Sequence, residues 1–209
     1  MSRIRSFFDS WGTPLLCAAL AFGFSQTVAG LVSIPSESMQ PTLNPGDILV
    51  VNRVAYGLHV PFTTSHELTR WAVPQPGDIV IFNVPEAGAK AESLFIKRVV
   101  AKEGDVVAVQ LDHLTVNGKP VSYEPLPVAE GPGELEQLGP VRHHVLTGPG
   151  PLQNFGPFTV PAGHIFVMGD HRNDSLDSRA WGPVPLERVR GKAVYRLHGT
   201  QGQHAGGLY

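Results

Sequence analysis

Two serines, Ser36 and Ser38, stand in the segment Ile34-Pro35-Ser36-Glu37-Ser38-Met39-Gln40-Pro41-Thr42-Leu43. Proline fixes its own φ and restricts the residue before it, so a loop bracketed by Pro35 and Pro41 is stiff. A stiff loop can present one hydroxyl as a nucleophile. It can offer a second as a donor to the negative charge that develops on attack. An ordinary Ser/Pro turn has the same composition, so this segment alone leaves both readings open.

Lys97 lies in Phe95-Ile96-Lys97-Arg98-Val99-Val100. Adjacent side chains on a strand point to opposite faces, so Lys97 and Arg98 serve different surroundings. An unperturbed lysine, with a pKa of about 10.4, is a poor base at neutral pH. Among Phe95, Ile96 and Val99 the amine would be desolvated, which lowers its pKa. A neutral Lys97 would then take the proton from Ser38. The competing reading is a solvent-facing Lys-Arg pair on an edge strand.

A third segment, residues 168–182, is dense in short polar side chains and follows an apolar run. Asp177 and Arg179 are spaced to pair and pin the loop. Ser175 is placed to orient a base through a hydrogen bond. A solvated turn is the alternative. A calcium loop of the EF-hand type is excluded, because it needs a bidentate Glu at its twelfth position.

Positioning these groups falls to strands. The chain has 23 Gly and 19 Pro in 209 residues, and helix-favouring runs are scarce after the N-terminus, which argues for short strands and turns. Strands are expected over 47–55, 79–84, 93–101, 105–111, 114–116, 158–160, 164–168 and 192–197. Asn117-Gly118 is a hairpin-turn signal. Residues 57–76 read as a loop excursion. Residues 119–157, with little periodicity, read as a reduced accessory excursion, and 199–209 as a flexible tail. The fold class is mostly β: an antiparallel domain over 35–198 behind an N-terminal helix.

That helix is expected to be a transmembrane anchor over 14–34, after a cytoplasmic segment, 1–13. Residues 15–34 carry no charge. As a helix they would span about 30 Å, one bilayer core. Arg3 and Arg5 precede the run and place the N-terminus in the cytoplasm by the positive-inside rule. A cleaved targeting peptide shares this pattern. The anchor is preferred because the proposed chemistry begins at Ser36, and cleavage would leave it on a frayed terminus. A buried soluble helix is the third option, given Ser25, Gln26 and Thr27.

Charge narrows the partners. Lys and Arg number 16 against 18 Asp and Glu, a net charge of −2, so nothing advertises a nucleic-acid surface. The single cysteine, Cys17, excludes an intramolecular disulfide and a multi-cysteine metal site.

Taken in order after an apolar run, the three segments resemble the sequence boxes of bacterial type I signal peptidases. The first is similar to a Ser-x-Ser-Met-x-Pro-Thr-Leu box, the second to Lys-Arg-Val-Val, the third to Gly-Asp-x-Arg followed by Ser-x-Asp-Ser-Arg. The resemblance runs from about residue 10 to 198. It implies a membrane-bound serine endopeptidase, on the outer face of the cytoplasmic membrane, that cuts preprotein signal peptides after small-x-small sites, with no cofactor or metal. It implies Ser38 as nucleophile, Lys97 as general base, and an oxyanion hole from the Ser38 N–H and the Ser36 hydroxyl. Ser175 would hydrogen-bond Lys97. Asp177 would pair with Arg179, and Asp170 with Arg98. Ile34, Pro35, Met39, Leu43, Phe95 and Ile96 would line shallow apolar pockets whose rim meets the lipid bilayer. The chain departs from the pattern at Glu37, at 101–105 and at His171, where Asn is usual.

His143-His144 looks like a ligand pair, but neighbours on a strand rarely share one site, so a surface loop is expected. His171 beside Asp170 suggests a Ser/His/Asp triad, which the resemblance disfavours. Trp11 suits a membrane boundary, whereas Trp71 and Trp181 suit a core or an interface. Two rival functions remain: a self-cleaving Ser/Lys repressor of the SOS type, for which the first 34 residues leave no DNA-binding domain, and a non-enzymatic membrane-tethered β module.

Overall fold

The structure, a computed structural model, describes residues 11–18, 21–23, 27–59, 67–85, 92–126, 133–147, 153–199 and 205–208. In chain order the first strands are β1 (Ala29–Ser33), β2 (Ile48–Asn52), β3 (Gly57–His59), β4 (Glu67–Arg70), β5 (Ile79–Pro85) and β6 (Glu92–Lys102). Next come β7 (Val106–Gln110), β8 (His113–Val116), β9 (Lys119–Pro120), β10 (Ser122–Pro125), β11 (Glu134–Leu138) and β12 (Val141–Val145). The last are β13 (Phe155–Thr159), β14 (His164–Met168), β15 (Val184–Pro185), β16 (Val189–His198) and β17 (Gly206–Gly207). A one-turn helix, Ser178–Trp181, follows the polar loop.

The main sheet runs β1-β2-β16-β5-β6-β14-β15, with β17 added on β16, and its strand pairs are antiparallel. Smaller sheets are β13-β7-β8-β9, β10-β11-β12 and the β3-β4 hairpin. Alternation along β5 and β6 splits the apolar side chains between two cores. Ile79, Ile81 and Ile96 join Leu49 and Val51 in one, while Val80, Phe82 and Val99 join Ile165 and Val189 in the other. Asn117 and Gly118 form the two-residue turn joining β8 to β9, both at positive φ.

Four expectations change. The anchor helix does not extend over 14–34. Residues 11–18 and 21–23 are helical, but Ala29–Ser33 is β1, paired with β2 from Ala29↔Asn52 to Ser33↔Ile48. Among the described residues, no helix is long and apolar enough to cross a membrane. A short apolar run with Gly30, Val32 and Ile34 serves a strand as well as a helix, and β2 offers it backbone partners. The helical part keeps Trp11, Leu15, Leu16 and Phe22 exposed. Arg3, Arg5 and the rest of 1–10, together with 19–20 and 24–26, lie outside the described residues.

The loop expected over 57–76 contains the β3-β4 hairpin. The excursion 119–157 holds the β10-β11-β12 sheet, with Glu136 and His143 as direct cross-strand partners. Within the expected tail, Gly206 and Gly207 pair with Arg196 and Tyr195, and Leu208 packs on the core.

Candidate active site

The loop between β1 and β2 is closed by its own backbone. The Ile34 N–H donates to Asp47 O at 2.9 Å, and the Gly46 N–H to Ile34 O at 2.8 Å. Inside it, the Leu43 N–H donates to Met39 O at 2.9 Å. Met39 and Leu43 are fully buried and Ile34 nearly so, all in the core shared with Leu49 and Ile79. These three were expected to line substrate pockets. In the structure they pack into the core and anchor the loop there, because their apolar side chains lose water on one side of a chain whose other side carries the serines.

Ser38 is carried on this anchored loop, 8% exposed. The Ser36 Oγ lies 3.3 Å from the Ser38 Oγ. Among the described residues, the Ser38 backbone N–H has no intramolecular acceptor. Its carbonyl accepts from the His171 N–H at 3.2 Å.

β6 brings Lys97 to the same point. Its register opposite β5 pairs Val80 with Lys97 and Ile79 with Arg98, so the two cations leave on opposite faces. The Lys97 Nζ donates to the Ser38 Oγ at 2.5 Å, across 59 residues of sequence. The amine is 3% exposed and lies 5.9 Å from the Phe95 ring centroid. Burial, aided by Arg179, lowers its pKa from 10.5 to about 8, against the opposing pull of Asp177 and Asp170.

The loop after β14 supplies the support. Arg98 grips Asp170 in a two-pronged pair, Nε to Oδ1 at 2.9 Å and Nη2 to Oδ2 at 2.7 Å. The Thr42 hydroxyl donates to the same carboxylate at 2.5 Å, which ties the serine loop to it. Asp177 caps the one-turn helix and holds Arg179, whose Nε and Nη2 lie 2.9 and 2.8 Å from its oxygens. Burial alone would raise the pKa of both carboxylates, but their arginine partners outweigh it and hold each below the usual range. The expected hydrogen bond from Ser175 to Lys97 is not formed. The Ser175 Oγ is buried without a hydrogen-bond partner among the described residues and lies close beside Gly169.

Several residues at the site were not anticipated. A Cβ at Gly169 would collide with the Ser38 carbonyl and the Ser175 hydroxyl, so only glycine lets the loop approach Ser38. Arg172 is 1% exposed and meets Glu136 at 2.6 Å. Its place two residues after Asp170 was the available signal. His143, expected on a surface loop, is buried on β12 between Glu136 and Asp170. Among the described residues, no cluster of His, Cys, Asp and Glu is arranged to hold a metal ion.

An open cleft of about 670 Å³ runs past Ser38 and Lys97. Pro35, Phe95 and Ile96 line it together with Ser36, Ser38 and Lys97, and the exposed Leu94 and Leu176 stand at its edges. A hydroxyl and a desolvated amine meeting beside an apolar groove suit acyl transfer on an extended chain.

Comparison with known proteins agrees with this geometry. The family model described as Signal peptidase, peptidase S26 matches residues 9–198. A Signal peptidase I of Pseudomonas fluorescens is 38% identical over 178 residues, covering 77% of this chain and 61% of that protein. A Probable signal peptidase I-1 of Synechocystis sp. is 35% identical, covering 88% of this chain and 80% of that protein. Thylakoidal processing peptidase 1, chloroplastic, of Arabidopsis thaliana is 35% identical, covering 83% of this chain and 43% of that protein. The chain thus spans less than two thirds of the length of the first and third of these relatives. With the match running through the serine loop, β6 and the loop after β14, the chain belongs to the signal peptidase, peptidase S26, family.

Proposed function

We propose that this chain is a serine endopeptidase that removes signal peptides from exported preproteins, with Ser38 as nucleophile and Lys97 as general base. The observation that carries this reading is the 2.5 Å contact between a buried Lys97 amine and the Ser38 hydroxyl. A neutral Lys97 takes the proton as the Ser38 Oγ attacks the scissile carbonyl. The developing oxyanion is received by the Ser38 N–H and the Ser36 hydroxyl. Lys97 then passes its proton to the leaving amine, and a water deprotonated by Lys97 releases the ester. The chemistry needs no cofactor. The Asp170–Arg98 and Asp177–Arg179 pairs hold the loop, and Pro35, Phe95 and Ile96 accept small side chains before the cut.

The substrate reaches the site at a membrane surface, on the exported side. Support comes from the exposed apolar side chains of the N-terminal helix, and from Leu31 and Ile48 on one face of β1 and β2 beside the serine loop. Purified protein is expected to cleave a preprotein in trans after a small-x-small site. Ser38→Ala and Lys97→Ala should each abolish the cut, and full activity in either folded variant would refute the reading.

A further inference from the structure

We propose that His143 is a positioning residue for the Ser38–Lys97 reaction, acting from the β10-β11-β12 sheet through a proton that it holds between Glu136 and Asp170. The proposal rests on the endopeptidase reading above and deepens it.

The His143 ring sits where two buried carboxylates converge. Its Nε2 lies 3.3 Å from Glu136 Oε1 and 3.7 Å from Asp170 Oδ1, and all three side chains are at most 4% exposed. Both ring nitrogens and Glu136 Oε1 are buried without a formed hydrogen bond among the described residues, and a lone pair on Nε2 would face two anionic oxygens at these distances. That arrangement is costly, so the proton belongs on Nε2 and the ring is the donor. Each carboxylate is held from its other side by an arginine, Asp170 by Arg98 and Glu136 by Arg172. Five buried groups thus form one row: Arg98, Asp170, His143, Glu136, Arg172. Thr42 joins it at Asp170, and the Tyr123 hydroxyl donates to Glu136 at 2.5 Å.

The row links the β10-β11-β12 sheet to the groups that do the chemistry. Arg98 is the next residue after Lys97. Asp170 lies next to His171, whose N–H holds the Ser38 carbonyl. Arg172 also donates to Gly169 O at 3.2 Å, and Leu146, one residue after β12, exchanges backbone hydrogen bonds with the same loop at 2.8 Å. The backbone clamp fixes the height of the loop. The His143 proton fixes the lateral position of Asp170, because without it the two carboxylates repel across the gap. A shift of Asp170 moves the Arg98 end of β6 and the Ser38 carbonyl together.

The test uses the position of the ring nitrogen. A glutamine side chain places its amide near Nε2, whereas asparagine reaches only as far as Nδ1. Burst kinetics with a p-nitrophenyl ester of Ala-Ala-Ala separate two quantities. The burst amplitude counts competent sites, and the burst rate reports acylation of Ser38. Relative to wild type, His143→Leu and His143→Asn are expected to keep a full amplitude. Their burst rate should fall about tenfold or more, the scale on which small misplacements of reacting groups act. His143→Gln should stay within about twofold of wild type by the same criterion. A merely structural role would lower amplitude rather than rate and would not separate Gln from Asn. Wild-type burst rates in His143→Leu, or equal rates in the Gln and Asn variants, overturn the proposal alone. No ester cleavage by the wild-type protein above that of Ser38→Ala overturns the endopeptidase reading, and the proposal with it.

Discussion

The Arg98 guanidinium and the Asp170 carboxylate, 72 residues apart in sequence, form a two-pronged pair with both side chains at most 2% exposed. The pair fastens β6, one residue beyond Lys97, to the loop that touches Ser38. Asp170→Asn preserves shape but leaves the Arg98 charge buried without its counterion. It is expected to cost ~3–5 kcal/mol, the range for breaking one side of a buried ion pair. Urea unfolding of the variant against wild type checks this, and a loss below about 1 kcal/mol, the surface-pair range, would mean that the pair is not fully desolvated.

With Lys97 as the proposed general base, the lysine sets the pH dependence expected of catalysis. Its amine must be neutral to act, and its pKa is lowered to about 8. The kcat/KM for preprotein cleavage should therefore rise with pH through a single acid limb centred near 8. An acid limb near the ordinary lysine value would show that burial does not tune this amine.

The same shift has a consequence for stability. A lowered folded pKa means that the folded state binds fewer protons than the unfolded chain between about 8 and 10.5. The unfavourable contribution of Lys97 is then complete below pH 8, shrinks as pH rises, and is gone near 10.5. Lys97→Met removes it. The inactive variant should be more stable than wild type at pH 7 by on the order of 3 kcal/mol, at about 1.4 kcal/mol for each tenfold change in proton affinity. The gain should vanish by about pH 10.5. Paired unfolding curves at pH 7 and 10.5 measure it, and a variant less stable at pH 7 would contradict the assignment.

Leu43 and Phe95 separate core from cleft. Leu43→Ala should lower stability by ~2–5 kcal/mol through the cavity it leaves, with cleavage-site preference unchanged. Phe95→Ala borders the cleft and should widen the range of side chains accepted before the cut. Preference profiles on a peptide library, read beside thermal melts, check both. A changed preference in Leu43→Ala would return that residue to the substrate pocket.

Gly169→Ala places a methyl group against the Ser38 carbonyl and the Ser175 hydroxyl. Overpacking of this kind costs ~1–3 kcal/mol and should also slow cleavage by shifting the serine loop. An unimpaired variant would mean that the loop has slack there.

Each half of the Ser38–Lys97 contact sits in a local pattern, but each pattern alone left an ordinary turn or an edge strand open, and only the order of the three segments joined them. Prolines stiffen the serine loop, and an apolar strand surrounds Lys97. The Asp177–Arg179 pair was readable from its spacing within one loop, whereas Asp170–Arg98 came only from resemblance, since nothing local links β6 to the loop after β14. The β1 strand was read as helix because a short apolar run has no period that separates the two, and its partner β2 is set by the fold. His143 was misplaced for a different reason. On β11 and β12 the polar Glu136 and His143 face inward, which inverts the rule that apolar residues mark the buried face. Ile34, Met39 and Leu43 were assigned to pockets by resemblance, and their packing into the core was not readable because a sequence cannot say on which side of a loop an apolar residue points.

The central claim, that the Lys97 amine activates the Ser38 hydroxyl, is tested most directly by mapping the covalent intermediate. Protein quenched during turnover of a small-x-small peptide ester is digested, and the acylated residue is located by mass spectrometry. An acyl group on Ser38 in the wild type, and none in folded Ser38→Ala or Lys97→Met, is the predicted result. An acyl group on another residue, or on Ser38 at the wild-type rate in Lys97→Met, would contradict the account.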